Sequence, residues 1–146
     1  MYKKVFFDAT IILDVFDMTR PSAEESQNTY VYLIKNDIQL YTSCDIITTI
    51  YYVYSKKDKA DVLRKIERVN QILKVIDFSN KEIAQTCKLM RANPNFKDLE
   101  DTIQYVLAKK EGCDLIISND KGFYSEDIPV MSSKVFVVST IKGIYN

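Results

Sequence analysis

Two short apolar runs constrain this chain most: Val5-Phe6-Phe7 near the start and Leu115-Ile116-Ile117-Ser118 near the end. Each is too short for a buried helix. Neither shows the alternation of a strand with one wet face. Unbroken apolar runs of this length are what strands covered on both faces require, and such strands belong to parallel sheets flanked by helices. Each run is also followed by an acid, Asp8 directly after the first and Asp120 two residues after Ser118 of the second.

Between these runs the elements alternate. Tyr2–Phe7 reads as a strand, 11–16 as a short helix, and Pro21-Ser22 opens a longer one, with Ser22 and Glu25 forming a capping box. Asp37 ends that helix and 39–42 is a short strand. Residues 43–54 read as a helix, with strand as the competing reading because Ile46, Ile47, Thr48, Thr49 and Ile50 include several β-branched side chains. In 59–73, Val62, Ile66, Val69 and Leu73 recur at helical spacing. Residues 75–78 read as a strand. Ser79 and Glu82 form a second capping box for a helix ending near Met90, and 91–95 reads as a loop. Asp98 caps a helix running to about Glu111, with Gly112 as its stop. Residues 114–118 and 135–138 read as the last two strands. The pattern predicts an α/β fold of three layers, α/β/α, around a central, mostly parallel sheet. The whole of 1–146 reads as one domain.

Composition narrows the chemistry. The chain has 146 residues, 47% hydrophobic and 27% charged, which suits a globular domain rather than disorder. Lys plus Arg and Asp plus Glu are both 20, so a nucleic-acid contact must come from a local patch. There is no histidine, which excludes Ser-His-Asp and Cys-His nucleophilic catalysis and histidine zinc ligation. Cys44, Cys87 and Cys113 are too widely spaced for a metal pair or a disulfide framework, and are expected to be buried, reduced thiols of a cytoplasmic protein. Asp8 breaks the first apolar stretch, so neither a signal peptide nor a spanning helix is expected.

The acids carry the functional signal. In open α/β sheets ligands bind beyond the carboxyl ends of the strands. Asp8 and Asp120 lie just past two strands, and the helix start at Asp98 and Asp101 brings two more acids. Clustered carboxylate oxygens suit Mg²⁺ or Mn²⁺. Each acid also has a plainer role. Asp98 and Asp101 stabilise a helix N-terminus, Asp120 suits a turn, and Asp14 reads as a solvated or capping acid able to fix a basic partner. Asp8 is the hardest to explain in that way, because an acid directly after a buried strand must be paired or desolvated at a cost.

Three segments in this order, 7–14 (FDATIILD), 98–101 (DLED) and 116–123 (IISNDKGF), resemble those of PIN domains over essentially the whole chain. PIN domains are metal-dependent ribonucleases, and the small bacterial ones are mostly VapC-type toxins of toxin–antitoxin pairs. The resemblance implies that Asp8, Asp101 and Asp120 hold the metal and act in catalysis. It gives Asp98 the place of an extra acid, and Thr10 and Ser118 supporting roles. It also implies an RNA substrate, a cognate antitoxin and a homodimer. The chain departs from the family at the second acid, a glutamate on the helix after the second strand, where Thr49 stands; Asp45 lies one turn earlier. Two other readings stay open. One is a degenerate module that binds RNA or a protein partner without cutting, and the other is a structure-specific DNA nuclease. Tyr51, Tyr52 and Tyr54 read as core or dimer interface rather than a base-stacking platform. The basic stretch of Lys56, Lys57, Lys59, Arg64, Lys65 and Arg68 reads as a solvated face that can also serve as a phosphate rim.

Overall fold

The computed structural model describes residues 1–143. Its elements are β1 (Lys4–Phe7), α1 (Ala9–Phe16), α2 (Ala23–Lys35), β2 (Gln39–Ser43), α3 (Cys44–Tyr54), α4 (Lys59–Ile72), β3 (Lys74–Ile76), α5 (Asn80–Ala92), α6 (Leu99–Lys110), β4 (Leu115–Ile117), β5 (Val130–Met131) and α7 (Ser133–Phe136), followed by a π-helical segment, Val137–Ile141. The sheet order is β3-β2-β1-β4-β5 and every pairing is parallel.

The two apolar runs are neighbours at the centre. Val5 pairs with Leu115 and Phe7 with Ile117. Val5, Phe6, Phe7, Leu115, Ile116 and Ile117 are wholly buried, as strands covered on both faces must be. The chain leaves β1 outward through β2 to β3, then crosses back to β4 on the other side. The gap between β1 and β4 is therefore the topological switch point, where such sheets place their ligands.

The segment 43–54 is helical. Ile46 and Ile50, one turn apart, are wholly buried, and burial of that face outweighs the weak helix preference of β-branched residues. Gly112 stops α6 with φ +71°, and Asp37 follows α2 with φ +55°. The Ser79–Glu82 capping box forms, with the Ser79 N–H donating to Glu82 Oε1 at 3.0 Å.

Three expectations need correction. Residues 135–138 are not a strand: the Ser132 hydroxyl accepts from the Val135 N–H at 3.1 Å and starts α7, so a cap overrides the valines, and the last strand is Val130–Met131. The Ser22–Glu25 box does not form, because Ser22 has φ −103° and ψ 15° rather than the extended backbone of a cap, and Glu25 Oε2 is buried without a partner. The cysteines are free, yet Cys87 is exposed and Cys44 only half-buried. Among the described residues no helix is long and apolar enough to cross a membrane.

Candidate active site

The carboxyl ends of β1, β2 and β4 meet the N-terminus of α6, and acids come from all four. Asp8 follows β1 and its N–H donates to Ile117 O at 3.1 Å, which fastens it to β4. Its carboxylate is buried, 6% exposed. Ser118 Oγ donates to Asp8 Oδ2 at 2.7 Å, and Thr10 Oγ1 donates to the same oxygen at 3.4 Å. Two hydroxyls therefore hold one oxygen of this acid.

Asp120 lies two residues beyond Ser118 at the exposed rim. Its N–H donates to Ser118 Oγ at 3.1 Å, and its Oδ1 accepts from the Gly122 N–H at 2.9 Å. Ser118 is thus a shared post between Asp8 and Asp120. At α6, Asp98 Oδ2 accepts from the Asp101 N–H at 3.0 Å, the capping role its position predicts. Asp101 is half-buried at the first turn.

Electrostatics joins these side chains. Burial pushes the Asp8 carboxyl above its usual range, the hydrogen bond from Ser118 pulls it back, and Asp120 pushes it further up. Asp101 is raised to about 7, first by desolvation and then by Asp8, Asp120, Asp98 and Glu100. Glu100 is raised by desolvation and by Asp45, Asp98 and Asp8. Among the described residues, none of Asp8, Asp45, Asp98, Glu100, Asp101 and Asp120 makes a salt bridge. Nor is any group of three or more His, Cys, Asp or Glu close enough to hold an ion by itself. The structure brings Asp8, Asp98, Asp101 and Asp120 into one field of negative charge, while Asp8 and Asp120 are each engaged by hydrogen bonds of their own.

Thr49 adds nothing to that field. It is half-buried on α3, and its hydroxyl turns back to Asp45 O at 3.3 Å. Asp45 does contribute. Its Oδ1 accepts from Ser43 Oγ and its Oδ2 from Gln104 Nε2 of α6, the latter at 2.9 Å. Glu100 and Gln104 were not singled out in the sequence. Glu100 stands inside the Asp98–Asp101 motif, and Gln104 is a polar residue on the buried face of α6, which is the signal each one offered.

Asp14 is not solvated. It is 3% exposed and ion-paired to Arg20, with Nε to Oδ1 at 2.6 Å. Asn119 Nδ2 donates to Asp14 Oδ2 at 2.8 Å. Of the tyrosines, Tyr54 OH donates to Leu13 O at 3.0 Å, whereas Tyr52 is 72% exposed. In the basic stretch Arg64 and Lys65 are both occupied by Asp61.

The PIN-domain family model matches residues 4–122, from β1 to just past Asp120. The chain belongs to the PIN-domain family. Ribonuclease VapC1 of Aquifex aeolicus (strain VF5) is 50% identical over 134 residues, 92% of this chain and 93% of that protein. The structure of VapBC2 from Rickettsia felis bound to a promoter DNA fragment shares the fold, with a TM-score of 0.69 at 17% identity over 88% of this chain and 98% of that one. A toxin–antitoxin complex from Klebsiella pneumoniae gives a TM-score of 0.64 at 18% identity, over 88% of this chain and 97% of that one.

The donor types present are those a hard divalent cation takes, but among the described residues the carboxylates do not converge closely enough to hold one as they stand. The set is made of carboxylate oxygens steadied by hydroxyls, without a paired basic side chain, and its buried member Asp8 is desolvated.

Proposed function

We propose that this PIN domain is a Mg²⁺- or Mn²⁺-dependent endoribonuclease and the toxin of a toxin–antitoxin pair in the cytoplasm. The observation that carries the reading is Asp8: a buried carboxylate at the switch point, without a salt bridge among the described residues, whose charge couples to those of Asp101 and Asp120. The 50% identity to a protein named ribonuclease VapC1 supports RNA as the substrate, and the likeness to a toxin–antitoxin complex supports a cognate antitoxin.

Asp8, Asp101 and Asp120 would hold the ion, with Asp98 at the rim for a second ion or a water. When bound, such an ion neutralises the acids, activates a water and stabilises charge on a phosphodiester. The chain's own residues prepare for this. Ser118 and Thr10 both hold Asp8 Oδ2, so little reorganisation of that oxygen would remain at the moment of reaction. Asp101, with its pKa raised to about 7, gives up its proton near neutrality and becomes a full carboxylate on the alkaline side. Asp45, held by Ser43 and Gln104, supplies negative charge one turn from the Thr49 position. Exposed Tyr52 and Val53 on α3 support a homodimer through that face, at twice the 16.9 kDa chain mass in light scattering.

A second reading, an RNA- or protein-binding PIN module that does not cut, is favoured by Thr49 in place of an acid. Cleavage assays separate the two. With Mn²⁺ or Mg²⁺ the wild type is expected to cut single-stranded RNA and leave DNA of the same sequence intact, and chelation should stop it. RNA that stays whole under every metal condition would put the binding module first, and DNA cleavage would favour the DNA nuclease.

A further inference from the structure

Asn119 stands between Ser118, whose hydroxyl bonds both Asp8 and Asp120, and Asp120 itself, and its side chain bonds to other elements. Its backbone N–H donates to Thr10 Oγ1 at 3.0 Å. Nδ2 donates to Asp14 Oδ2 at 2.8 Å and to Ser26 Oγ at 3.2 Å. Oδ1 accepts from the Ser133 N–H at 2.9 Å and from Ser133 Oγ at 3.2 Å. Ser26 Oγ also donates to Asp14 Oδ2 at 2.7 Å. Asp14, Ser26 and Ser133 are buried, and Arg20 neutralises Asp14. One amide thus ties the end of β4 to α1, α2 and α7.

We infer that Asn119 and Asp14 are positioning residues of the active site: their hydrogen bond locks the end of β4, and so sets where Ser118 and Asp120 stand relative to Asp8. The consequence for catalysis rests on the metal-dependent reading proposed above. The pair is specific in its chemistry. Asp14 requires a donor and the Ser133 N–H requires an acceptor, and an asparagine amide offers both from one short side chain. A carboxylate at 119 would meet the Asp14 carboxylate at hydrogen-bond distance without a proton between them. The loop would then leave its place and draw Ser118 Oγ away from Asp8 Oδ2. Groups that orient ligands in this way change metal affinity or activity by about 10- to 100-fold when removed.

The test uses the full chain with Asn119→Asp, the exchanged pair Asp14→Asn/Asn119→Asp, and Ser133→Ala. Two quantities are read: amide hydrogen exchange at Asn119 and Asp120 without metal, and Mn²⁺ affinity by calorimetry. In Asn119→Asp, exchange at both amides should rise about tenfold or more while α5 is unchanged, and Mn²⁺ affinity should fall about tenfold. Charge alone predicts the opposite sign, since an added carboxylate near the site attracts the cation. The exchanged pair restores the hydrogen bond with donor and acceptor reversed and the net charge unaltered, so both quantities should return to within about threefold of wild type. Ser133→Ala keeps the fold, removes one hydroxyl and should speed the same two amides to a smaller degree. Wild-type exchange at Asn119 and Asp120 in both Asn119→Asp and Ser133→Ala, or tighter Mn²⁺ binding in Asn119→Asp, would overturn the inference. A wild type that takes up no Mn²⁺ would overturn the metal-dependent function together with the catalytic consequence, while the metal-free exchange still tests whether the pair positions the loop.

Discussion

Asp8 and Asp14 bracket most of α1, and both are buried, 6% and 3% exposed. Their surroundings are opposite. Asp14 has Arg20 against one oxygen and the donors of Ser26 and Asn119 against the other. Asp8 has the hydroxyls of Ser118 and Thr10 and the backbone N–H of Ala9, with no salt bridge among the described residues, and the charge of Asp120 pushes on it. A buried carboxylate is tolerated when its charge is answered. Asp14 is answered within the chain and works for the fold. The Asp8 charge has no basic partner among the described residues, and the metal-dependent function proposed above would have a cation answer it.

The widest separation between the two should come from truncating each. Asp14→Ala strands Arg20, Ser26 and Asn119, and is expected to cost about 3 kcal/mol in urea unfolding without divalent ions. Asp8→Ala gives up two hydroxyl contacts but also relieves desolvation and repulsion, so its cost should stay below about 1 kcal/mol. Equal losses at the two positions would erase the distinction.

The next test is pH. Folding raises the Asp101 pKa to about 7 from 3.8, so its carboxyl binds a proton more tightly when folded. Its contribution to stability is complete below about pH 3.8, shrinks as pH rises, and is lost above about pH 7. Asp101→Asn should therefore match wild type near pH 3.5 and exceed it at pH 8 in metal-free thermal melts. Identical pH profiles would mean that Asp101 is not part of the acidic field.

A smaller effect is expected at Thr49. Its hydroxyl is spent on Asp45 O, and Thr49→Glu restores the family's missing carboxylate, so Mn²⁺ affinity should rise roughly threefold to tenfold. Unchanged affinity would show that Asp45 already fills that part of the field.

The centre of this contrast was legible in the sequence and its periphery was not. The runs 5–7 and 115–117 announce themselves because strands buried on both faces must be apolar throughout, and Asp8 and Asp120 gain meaning from following them. Asp98 and Asp101 were readable through their cap spacing. The edge strand Val130–Met131 was not, since two residues after Pro129 carry no periodicity, while the valines at 135, 137 and 138 promise a strand that Ser132 turns into a helix. Asp14 read as a solvated or capping acid able to fix a basic partner; the Arg20 pair bears out the last, while its burial was hidden because Asn119 lies 105 residues away and nothing local signals that pairing. Asp45 was visible only as an acid one turn from the expected place, because the bond from Gln104 spans 59 residues.

Whether the unpaired charge of Asp8 binds a cation is decided by calorimetric titration of the metal-free wild type and of Asp8→Asn with Mn²⁺. The two side chains are nearly the same size, so the fold is kept and only the unanswered charge is removed. Wild type should bind Mn²⁺ saturably, and Asp8→Asn should lose at least about tenfold in affinity, with RNA cleavage abolished. Equal Mn²⁺ affinity in the two proteins would contradict a cation held by Asp8.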